Sequence, residues 1–245
     1  TVLSGEPGCG KTSMCNIFAK VLGLNKLRQF IDADGIEVSR YIPVSVERGW
    51  TSKRDFIGYY NPLTKSFDKN NKLVYDAMQI MNEEALSGLS SLPYLILLDE
   101  ANLSPMEYYW ADFMNLCDGI DDTSIVNLGG DHVFRIPETL HFLATINNDH
   151  TTATLSPRLL DRAAIVTLPK GKYSDGDITI PNEEIEIISW KSIKKAFFPD
   201  FRGIGLSSDF ESVYQKIRSH FEKMHTLSPR TEKAVMNYCK TGKQL

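Results

Sequence analysis

Continuous apolar runs that end in acidic or amide residues predict a buried parallel sheet in this chain. Four consecutive aliphatic residues precede Asp99 and Glu100, and a second apolar run, residues 141–146, ends at Asn147. Short runs of this kind are typical of strands buried on both faces. Residues 1–3 form the end of a further predicted strand. In open α/β sheets ligands bind at the carboxyl ends of the strands, so Asn147 is expected at a binding edge.

Apolar residues at helical spacing and capping signals predict the helices that accompany this sheet. One helix follows residue 10, with Gly23 as its C-cap. A capping box at residues 104–107 starts a second helix, which Gly119 ends and whose apolar stripe is expected in the core. Ser156 and Pro157 start a short third helix. The apolar positions of the first helix are Met14, Ile17, Phe18, Val21 and Leu22, and those of the second are Met106, Tyr109, Trp110, Phe113, Met114 and Cys117.

The second half of the chain predicts a hairpin and then a separate helical unit. A turn at residues 129–131, with two glycines, joins strands at 125–128 and 132–136. From about Lys170 the chain becomes polar, with Gly and Pro, as in a connection or insertion. A capping box at residues 208–211 and the pair Ser228-Pro229 start two further helices. We therefore expect an α/β core over residues 1–169, whose start is missing, and a truncated helical lid with an insertion over residues 170–245.

Residues 5–12, GEPGCGKT, fit the motif G-x-x-x-x-G-K-[ST] without a mismatch. The glycines let main-chain N–H groups wrap around phosphate oxygens, and the following helix presents its positive end to the same anion. A glycine-rich turn can match by chance, but the strand before it and the helix after it argue against chance here. We predict a nucleoside triphosphate site with Mg²⁺, formed by Gly5, Glu6, Pro7, Gly8, Cys9, Gly10, Lys11, Thr12 and Ser13.

Polar residues at the strand ends supply the expected chemistry of this site. Lys11 is expected at the β- and γ-phosphates, and Thr12 and Asp99 are expected to hold Mg²⁺. Glu100 would polarise the attacking water, and Asn147 would reach the γ-phosphate or that water. The alternatives are a solvated strand end for the two acids and a turn-forming role for Asn147.

Two arginines follow at Arg158 and Arg162, four residues apart on one face of the short third helix. Such a pair usually forms a solvated surface or an ion pair with a residue such as Asp161. Near a nucleotide site at a subunit boundary, the alternative is a contact with a neighbouring subunit's phosphate.

Composition narrows the remaining possibilities. A net charge of −4 argues against a surface dedicated to coating nucleic acid, although it leaves a local basic channel open. The four cysteines are scattered, as expected for thiols in a reducing compartment rather than for disulfides or zinc. No signal peptide or membrane-length apolar run is present, so we expect a cytoplasmic protein without a membrane partner. The chain begins without Met inside its first strand, so we expect an excerpt of a longer protein.

The order of these motifs resembles the AAA+ ATPases, and three stretches resemble their McrB-like and dynein-related branch, with its MoxR relatives. Residues 49–63 are similar to the stretch W-x-x-x-x-D-h-h-G-Y-Y-N-P of McrB-like proteins, where h is an apolar residue. Residues 144–152 resemble their sensor-1 segment, and residues 155–163 resemble their S-P-x-h-h-D-R-A helix. This resemblance implies a P-loop fold with a central parallel sheet flanked by helices, followed by a small helical lid.

The resemblance also implies roles for single residues. Lys11 and Thr12 would be the Walker A contacts, Asp99 and Glu100 the Walker B pair, and Asn147 sensor 1. Arg162 would be the finger that reaches the adjacent subunit's nucleotide, with Arg158 as the second candidate, and Arg230 would be the lid arginine called sensor 2. His150 stands where McrB-like proteins usually carry an acid, which is here Asp149. We expect ATP from the usage of the wider class, with GTP as the alternative.

Three functions are compatible with this resemblance. The first is an NTP-hydrolysing ring motor, expected to be a hexamer, that drives a McrC-like nuclease in modification-dependent DNA restriction or phage defence. Such a motor would contact DNA through the assembled complex or a missing N-terminal domain. The second is a MoxR- or midasin-like ATPase that remodels proteins. The third is a nucleotide-gated scaffold without hydrolysis, against which Glu100 and the two finger candidates argue.

Basic and aromatic residues are interleaved in a loop-like stretch, the one similar to McrB-like proteins. In a loop, this combination suits contacts with phosphates and stacked bases, so we expect some of them to face a polymer or partner. The alternative is that the aromatic residues pack this segment onto the core. The residues concerned are Trp50, Lys53, Arg54, Tyr59 and Tyr60.

Overall fold

The computed structural model describes residues 1–25, 27–29, 37–89, 91–114, 124–147, 149, 152–170, 187–197, 208–221 and 228–242. The chain divides into two compact units, residues 1–189 and residues 190–245. The sequence predicted a boundary at residue 170, whereas this division falls after residue 189. Residues 171–186, which lie between the two positions together with residues 187–189, are outside the described residues.

Five strands of the described chain form one parallel sheet, namely β1 (Val2–Gly5), β4 (Tyr41–Ser45), β7 (Tyr94–Asp99), β10 (Leu140–Asn147) and β11 (Ile165–Thr167). Their order across the sheet is β11–β1–β10–β7–β4. In this register Gly5 lies opposite Asn147, Ala144 lies opposite Leu98, and Asp99 lies opposite Ser45. The sheet therefore brings three groups to one edge, as the apolar runs predicted: the phosphate-loop motif of residues 5–12, the acidic pair Asp99 and Glu100, and Asn147.

Helices cover both faces of this sheet, which confirms the predicted α/β class. Leu95 and Leu97 of β7 pack in one apolar cluster with residues of α1 (Lys11–Val21). Ile96 and Leu98 point to the other face and pack in a larger cluster with α3 (Lys72–Leu86). Side chains of a strand alternate between faces, so a continuous apolar run is what a doubly covered strand requires.

The helix after the phosphate-loop motif packs through other residues than those that predicted it. Cys15 and Ala19 are its buried apolar positions, and their small side chains let the helix approach the sheet closely. The outer apolar positions keep between 38% and 51% of their surface exposed. Those positions are Met14, Ile17, Phe18 and Val21.

The helix predicted from the capping box at residues 104–107 is wrong in its start and its continuity. Two short helices, α4 (Met106–Tyr109) and α5 (Ala111–Met114), are interrupted at Trp110, and Pro105 occupies the N-cap. The Ser104 hydroxyl does not cap, because it donates to the Glu47 carbonyl at 2.8 Å and accepts from the Trp50 N–H at 3.0 Å. The predicted core stripe is buried as far as Met114, and Cys117 and Gly119 lie outside the described residues.

Two hairpins pack against each other beside the sheet. The first comprises β5 (Tyr59–Asn61) and β6 (Ser66–Asp68), and the predicted second one comprises β8 (Ile125–Asn127) and β9 (Val133–Arg135). Gly129 and Gly130 turn the second hairpin with φ of 99° and 57°. A Cβ on Gly130 would lie 2.8 Å from the Tyr60 ring, so the two glycines also allow this contact. The remaining elements of the first unit are β2 (Leu27–Gln29), β3 (Glu37–Ser39), α2 (Lys53–Phe56) and α6 (Pro157–Leu160).

Helices make up the described part of the second unit. They are α7 (Trp190–Phe197), α8 (Ser208–Phe221) and α9 (Pro229–Gly242). An ion pair of 3.1 Å between Arg218 and Glu232 joins α8 to α9, and Ser228 caps α9 by accepting from the Thr231 N–H. Within the described ranges, no helix combines the length and apolar character needed to cross a lipid bilayer.

Candidate functional site

The loop between β1 and α1 has the backbone shape that its glycines were expected to allow. Gly8 and Gly10 have φ of 78° and 88°, a region that side chains disfavour. Gly10 is the N-cap of α1, so the loop leads directly into the positive end of an eleven-residue helix. A Cβ on Gly5 would lie 2.8 Å from both the Cys9 sulfur and the Leu168 carbonyl oxygen. The three glycines therefore maintain the path of the loop.

Lys11 is held inside this loop by the loop's own carbonyl groups. Its Nζ donates to the carbonyl oxygens of Gly5 and Glu6, both at 2.9 Å, and the side chain is buried. Its charge therefore lies beside the N-terminus of α1, where it adds to the attraction of the helix for an anion.

The Asp99 carboxylate receives two hydroxyl groups from neighbouring elements. Thr12 Oγ1 donates to Asp99 Oδ1 at 2.8 Å, and Thr145 Oγ1 donates to the same oxygen at 2.6 Å. The Asp99 carbonyl also accepts from the Val46 N–H of the chain after β4. Thr12 and Asp99 therefore lie side by side, as the motif predicted, and Thr145 is an additional member of the site.

Glu100 has an unusual backbone conformation with φ of 54° and ψ of 42°. This left-handed conformation is strained for a residue with a Cβ and is found preferentially at functional sites. The Glu100 N–H donates to Thr145 Oγ1 at 2.9 Å, and its carbonyl accepts from the Leu103 N–H at 2.9 Å. The side chain is exposed, so the turn after β7 directs its carboxylate out of the core.

The buried side chain of Asn102 fixes the end of β10, where Asn147 lies. Its Nδ2 donates to the Asn147 carbonyl at 2.9 Å, and its Oδ1 accepts from the Asn147 N–H at 3.2 Å. Asn102 Nδ2 also donates to the Ala153 carbonyl at 3.3 Å, and the Ala153 N–H donates back to the Asn102 carbonyl. The Asn102 side chain thus connects the segment after β7 to the end of β10 and to the chain that leads to α6.

These groups surround one cavity of about 280 Å³ at the edge of the sheet. Three residues of the predicted site belong to the loop but do not line the cavity, namely Gly5, Glu6 and Cys9. Its lining comprises Pro7, Gly8, Gly10, Lys11, Thr12, Ser13, Asp99, Glu100, Thr145 and Asn147.

Oxygen ligands at this cavity fit a magnesium ion. The Thr12 hydroxyl and the Asp99 carboxylate are hard donors of the type that Mg²⁺ prefers, and their hydrogen bond of 2.8 Å places them side by side. Over the described part of the chain, no group of three or more His, Cys, Asp and Glu residues could hold a metal alone. Mg²⁺ usually keeps several waters and binds through one or two protein groups and substrate phosphates, which matches such a partial ligand set.

The charge of Asp99 also affects the helix behind it. Burial, and then the Asp99 carboxylate, raise the pKa of the Cys15 thiol to about 11. Cys15 therefore stays a neutral thiol at physiological pH, and it packs as a small apolar residue beneath the loop.

The predicted arginines lie outside the cavity lining. Arg158 is exposed on α6, which Ser156 caps as predicted, and Arg162 follows the helix in a turn. The guanidinium of Arg162 donates to the Arg158 carbonyl at 3.1 Å. Arg230 is exposed in the first turn of α9, in the second compact unit, and His150 lies outside the described residues.

Most of the interleaved basic and aromatic residues are used in packing. Trp50 contacts Tyr109 edge to face, with ring centroids 5.2 Å apart. Lys53 pairs with Asp112 at 2.7 Å and donates to a backbone carbonyl of β8. Tyr60 contacts the glycine turn, whereas the exposed guanidinium of Arg54 lies 5.3 Å from the Tyr59 ring centroid. The stretch predicted as loop-like also contains α2 and β5.

Comparison with known proteins finds neither a family model nor a curated protein that matches the chain. Among solved structures, the chain is similar to a protein of Cytophaga hutchinsonii that is named a putative ATPase, with 21% identity and a TM-score of 0.40. The match covers 69% of this chain and 41% of that protein, so the chain spans less than half of its length. The assignment of an α/β phosphate-loop fold rests on the sheet, the loop and the site geometry described above.

Proposed function

We propose that this chain is the nucleotide-hydrolysing part of an AAA+ ATPase that uses ATP and Mg²⁺. The observation that carries the proposal is the assembly of Lys11, Thr12, Asp99 and Glu100 around one cavity at the N-terminus of α1. These groups come from two separate segments, the start of α1 and the end of β7, and together they provide a cradle for phosphate, a cation site and an exposed carboxylate. A glycine-rich turn without function would not require the second segment.

The residues of the cavity divide the work of hydrolysis. Lys11 and the N-terminus of α1 bind the triphosphate and neutralise its charge. Thr12 and Asp99 would hold Mg²⁺, which would supply charge neutralisation at the phosphate oxygens. Glu100 accepts a proton from the attacking water, and Asn147 orients that water or the γ-phosphate.

The finer proposal is a ring of identical subunits in which Arg162 completes the neighbour's site. Arg162 lies outside the lining of its own subunit's cavity. The chain that leads to α6 and Arg162 is joined to Asn147 through Asn102, which donates to the carbonyl groups of both Asn147 and Ala153. An arginine that neutralises charge on the transferring phosphoryl group raises the rate about 10³–10⁵-fold. The resemblance of three stretches to McrB-like proteins supports a motor that acts with a McrC-like nuclease on DNA.

The first experiment compares Glu100→Gln with the parent protein. We expect Glu100→Gln to bind ATP and to lose turnover about 10²–10⁴-fold, because it removes the proton acceptor and leaves the cradle intact. Lys11→Ala should lose nucleotide binding itself. Glu83→Gln is the matched control, since Glu83 is an exposed glutamate of α3 outside the cavity. Phosphate release and binding of a fluorescent ATP analogue are measured, with GTP in parallel, and parental turnover by Glu100→Gln would refute the proposed role.

The second experiment tests the shared site. Turnover per subunit should rise steeply with protein concentration as rings form. Arg162→Ala should bind ATP but turn it over slowly, and activity should partly return when it is mixed with Lys11→Ala, whose Arg162 is intact. Arg158→Ala is the matched comparison on the same segment. Turnover independent of concentration would contradict the ring, and stimulation by protein substrates rather than by DNA with a nuclease subunit would favour a remodelling ATPase.

A further inference from the structure

Thr145 joins the two acidic residues of the site through a single hydroxyl group. Its side chain is 1% exposed in the interior of β10, between β1 and β7. Oγ1 donates to Asp99 Oδ1 at 2.6 Å and accepts from the Glu100 N–H at 2.9 Å. The hydroxyl therefore uses its one proton on the carboxylate and a lone pair on the next residue's backbone.

The bond to Asp99 fixes the group expected to hold the cation. Asp99 Oδ1 also accepts from Thr12 Oγ1 at 2.8 Å, and Thr12 lies at the start of α1. Thr145 instead comes from the middle of the sheet, where its χ1 angle is restricted by the branched side chain and by close packing. It therefore provides a rigid contact that holds the Asp99 carboxylate in place.

The bond to Glu100 fixes the group expected to activate water. Glu100 is strained, with φ of 54°, and such a conformation persists only where its surroundings determine it. The Thr145 hydroxyl accepts the N–H on one side of this residue, and the Leu103 N–H donates to its carbonyl on the other. Loss of the hydroxyl would leave the Glu100 N–H without its acceptor, and the direction of the Glu100 side chain would no longer be determined.

We propose that Thr145 is a positioning residue that couples the geometry of the cation ligand Asp99 to that of the catalytic Glu100. This inference rests on the proposed nucleotide hydrolysis and assigns the residue that sets its geometry. Outer groups that orient metal ligands typically affect metal affinity or activity about 10–100-fold. Thr145 acts on both acids at once, so its loss should change the Mg²⁺ dependence and the turnover number together.

The test uses the full chain with Thr145→Val, which keeps the shape of the side chain and removes the hydroxyl, and Thr145→Ser, which keeps the hydroxyl. We expect Thr145→Val to lower kcat about 10–100-fold and to raise the Mg²⁺ concentration for half-maximal activity about tenfold. Binding of a fluorescent ATP analogue without Mg²⁺ should not change. Thr145→Ser should stay within about threefold of the parent in kcat and in Mg²⁺ dependence.

Thr139→Val is the matched control, because Thr139 is a buried threonine just before β10 and lies outside the cavity lining. It should lower the melting temperature without changing the Mg²⁺ dependence. Parental kcat and Mg²⁺ dependence in Thr145→Val would overturn the inference, and so would a Thr145→Ser variant that loses activity while it folds. If Thr145→Val does not fold, Thr145→Ala and the serine variant decide by the same two measurements. A parent that binds no nucleotide would instead refute the proposed function, and the inference with it.

Discussion

Replacement of Glu84 by Gln should strongly destabilise the first unit, because it leaves a buried guanidinium without its counter-ion. Arg40 and Glu84 are 2% and 4% exposed and lie 2.6 Å apart. Arg40 also donates to the Leu92 carbonyl at 3.0 Å, and its guanidinium carbon lies 4.2 Å from the Tyr94 ring centroid. The pair thus connects α3 to the starts of β4 and β7, and β7 is the strand that ends at Asp99.

The expected magnitude follows from this burial. Removal of one partner of a buried ion pair costs about 3–5 kcal/mol, since the remaining charge cannot be solvated. At about 2–4 °C per kcal/mol for a domain of this size, the melting temperature should fall by roughly 6–20 °C. The double variant Arg40→Met with Glu84→Leu should stay within about 1 kcal/mol of the parent, because neither charge is then left buried.

Urea unfolding followed by circular dichroism measures these free energies, together with thermal scans. Asp112→Asn is the control, because the Lys53–Asp112 pair has nearly the same N–O distance but is 38% and 36% exposed, and should contribute at most about 1 kcal/mol. A loss below about 1 kcal/mol for Glu84→Gln, or a double variant as unstable as the single one, would refute the reasoning.

Three further predictions concern the loop, the Asn102 contacts and the pH dependence. Gly5→Ala should weaken ATP binding at least about tenfold in a fluorescence titration, since its Cβ would lie 2.8 Å from a backbone carbonyl; Gly88→Ala, at φ of 69° outside the site, should lower stability alone. Asn102→Ala should cost about 1–3 kcal/mol in urea unfolding and lower kcat, because two backbone groups of Asn147 lose their partner. Burial lowers the pKa of His141 to about 4 in the folded protein. The unfolded chain therefore binds a proton at this residue at a higher pH than the folded protein does, and the free energy of unfolding should fall by up to about 3 kcal/mol between pH 6.5 and pH 4. His141→Gln should remove that part of the slope of melting temperature against pH.

The sequence predicted the parts of the site that the backbone itself builds. The phosphate loop needs glycine at fixed spacing, and the acidic pair and Asn147 follow apolar runs that are typical of buried strands. Each of these signals is local, and each position lies where expected in the structure.

Contacts between distant segments were not predictable in the same way. Thr145 and Asn102 act through tertiary hydrogen bonds, and a threonine in a strand or an asparagine after one is common without any such role. A signal existed for Thr145, as a hydroxyl within an otherwise apolar run needs a buried partner. Ser104 failed as a cap for a related reason, because residues 47 and 50 use its hydroxyl.

The position of β1 in the sheet determines when during synthesis the nucleotide site can form. β1 carries the phosphate loop and emerges early among the described elements, yet Val2 pairs with Ala144 on one side and with Ile165 on the other. Until the ribosome has released β10, β1 has a strand on neither edge, and until it has released β11, β1 has a partner on one edge alone. Non-local parallel pairing is also slow to form. Nascent chains shorter than this should remain sensitive to proteases at the loop and unresponsive to ATP, so ligand binding would report the completion of the sheet.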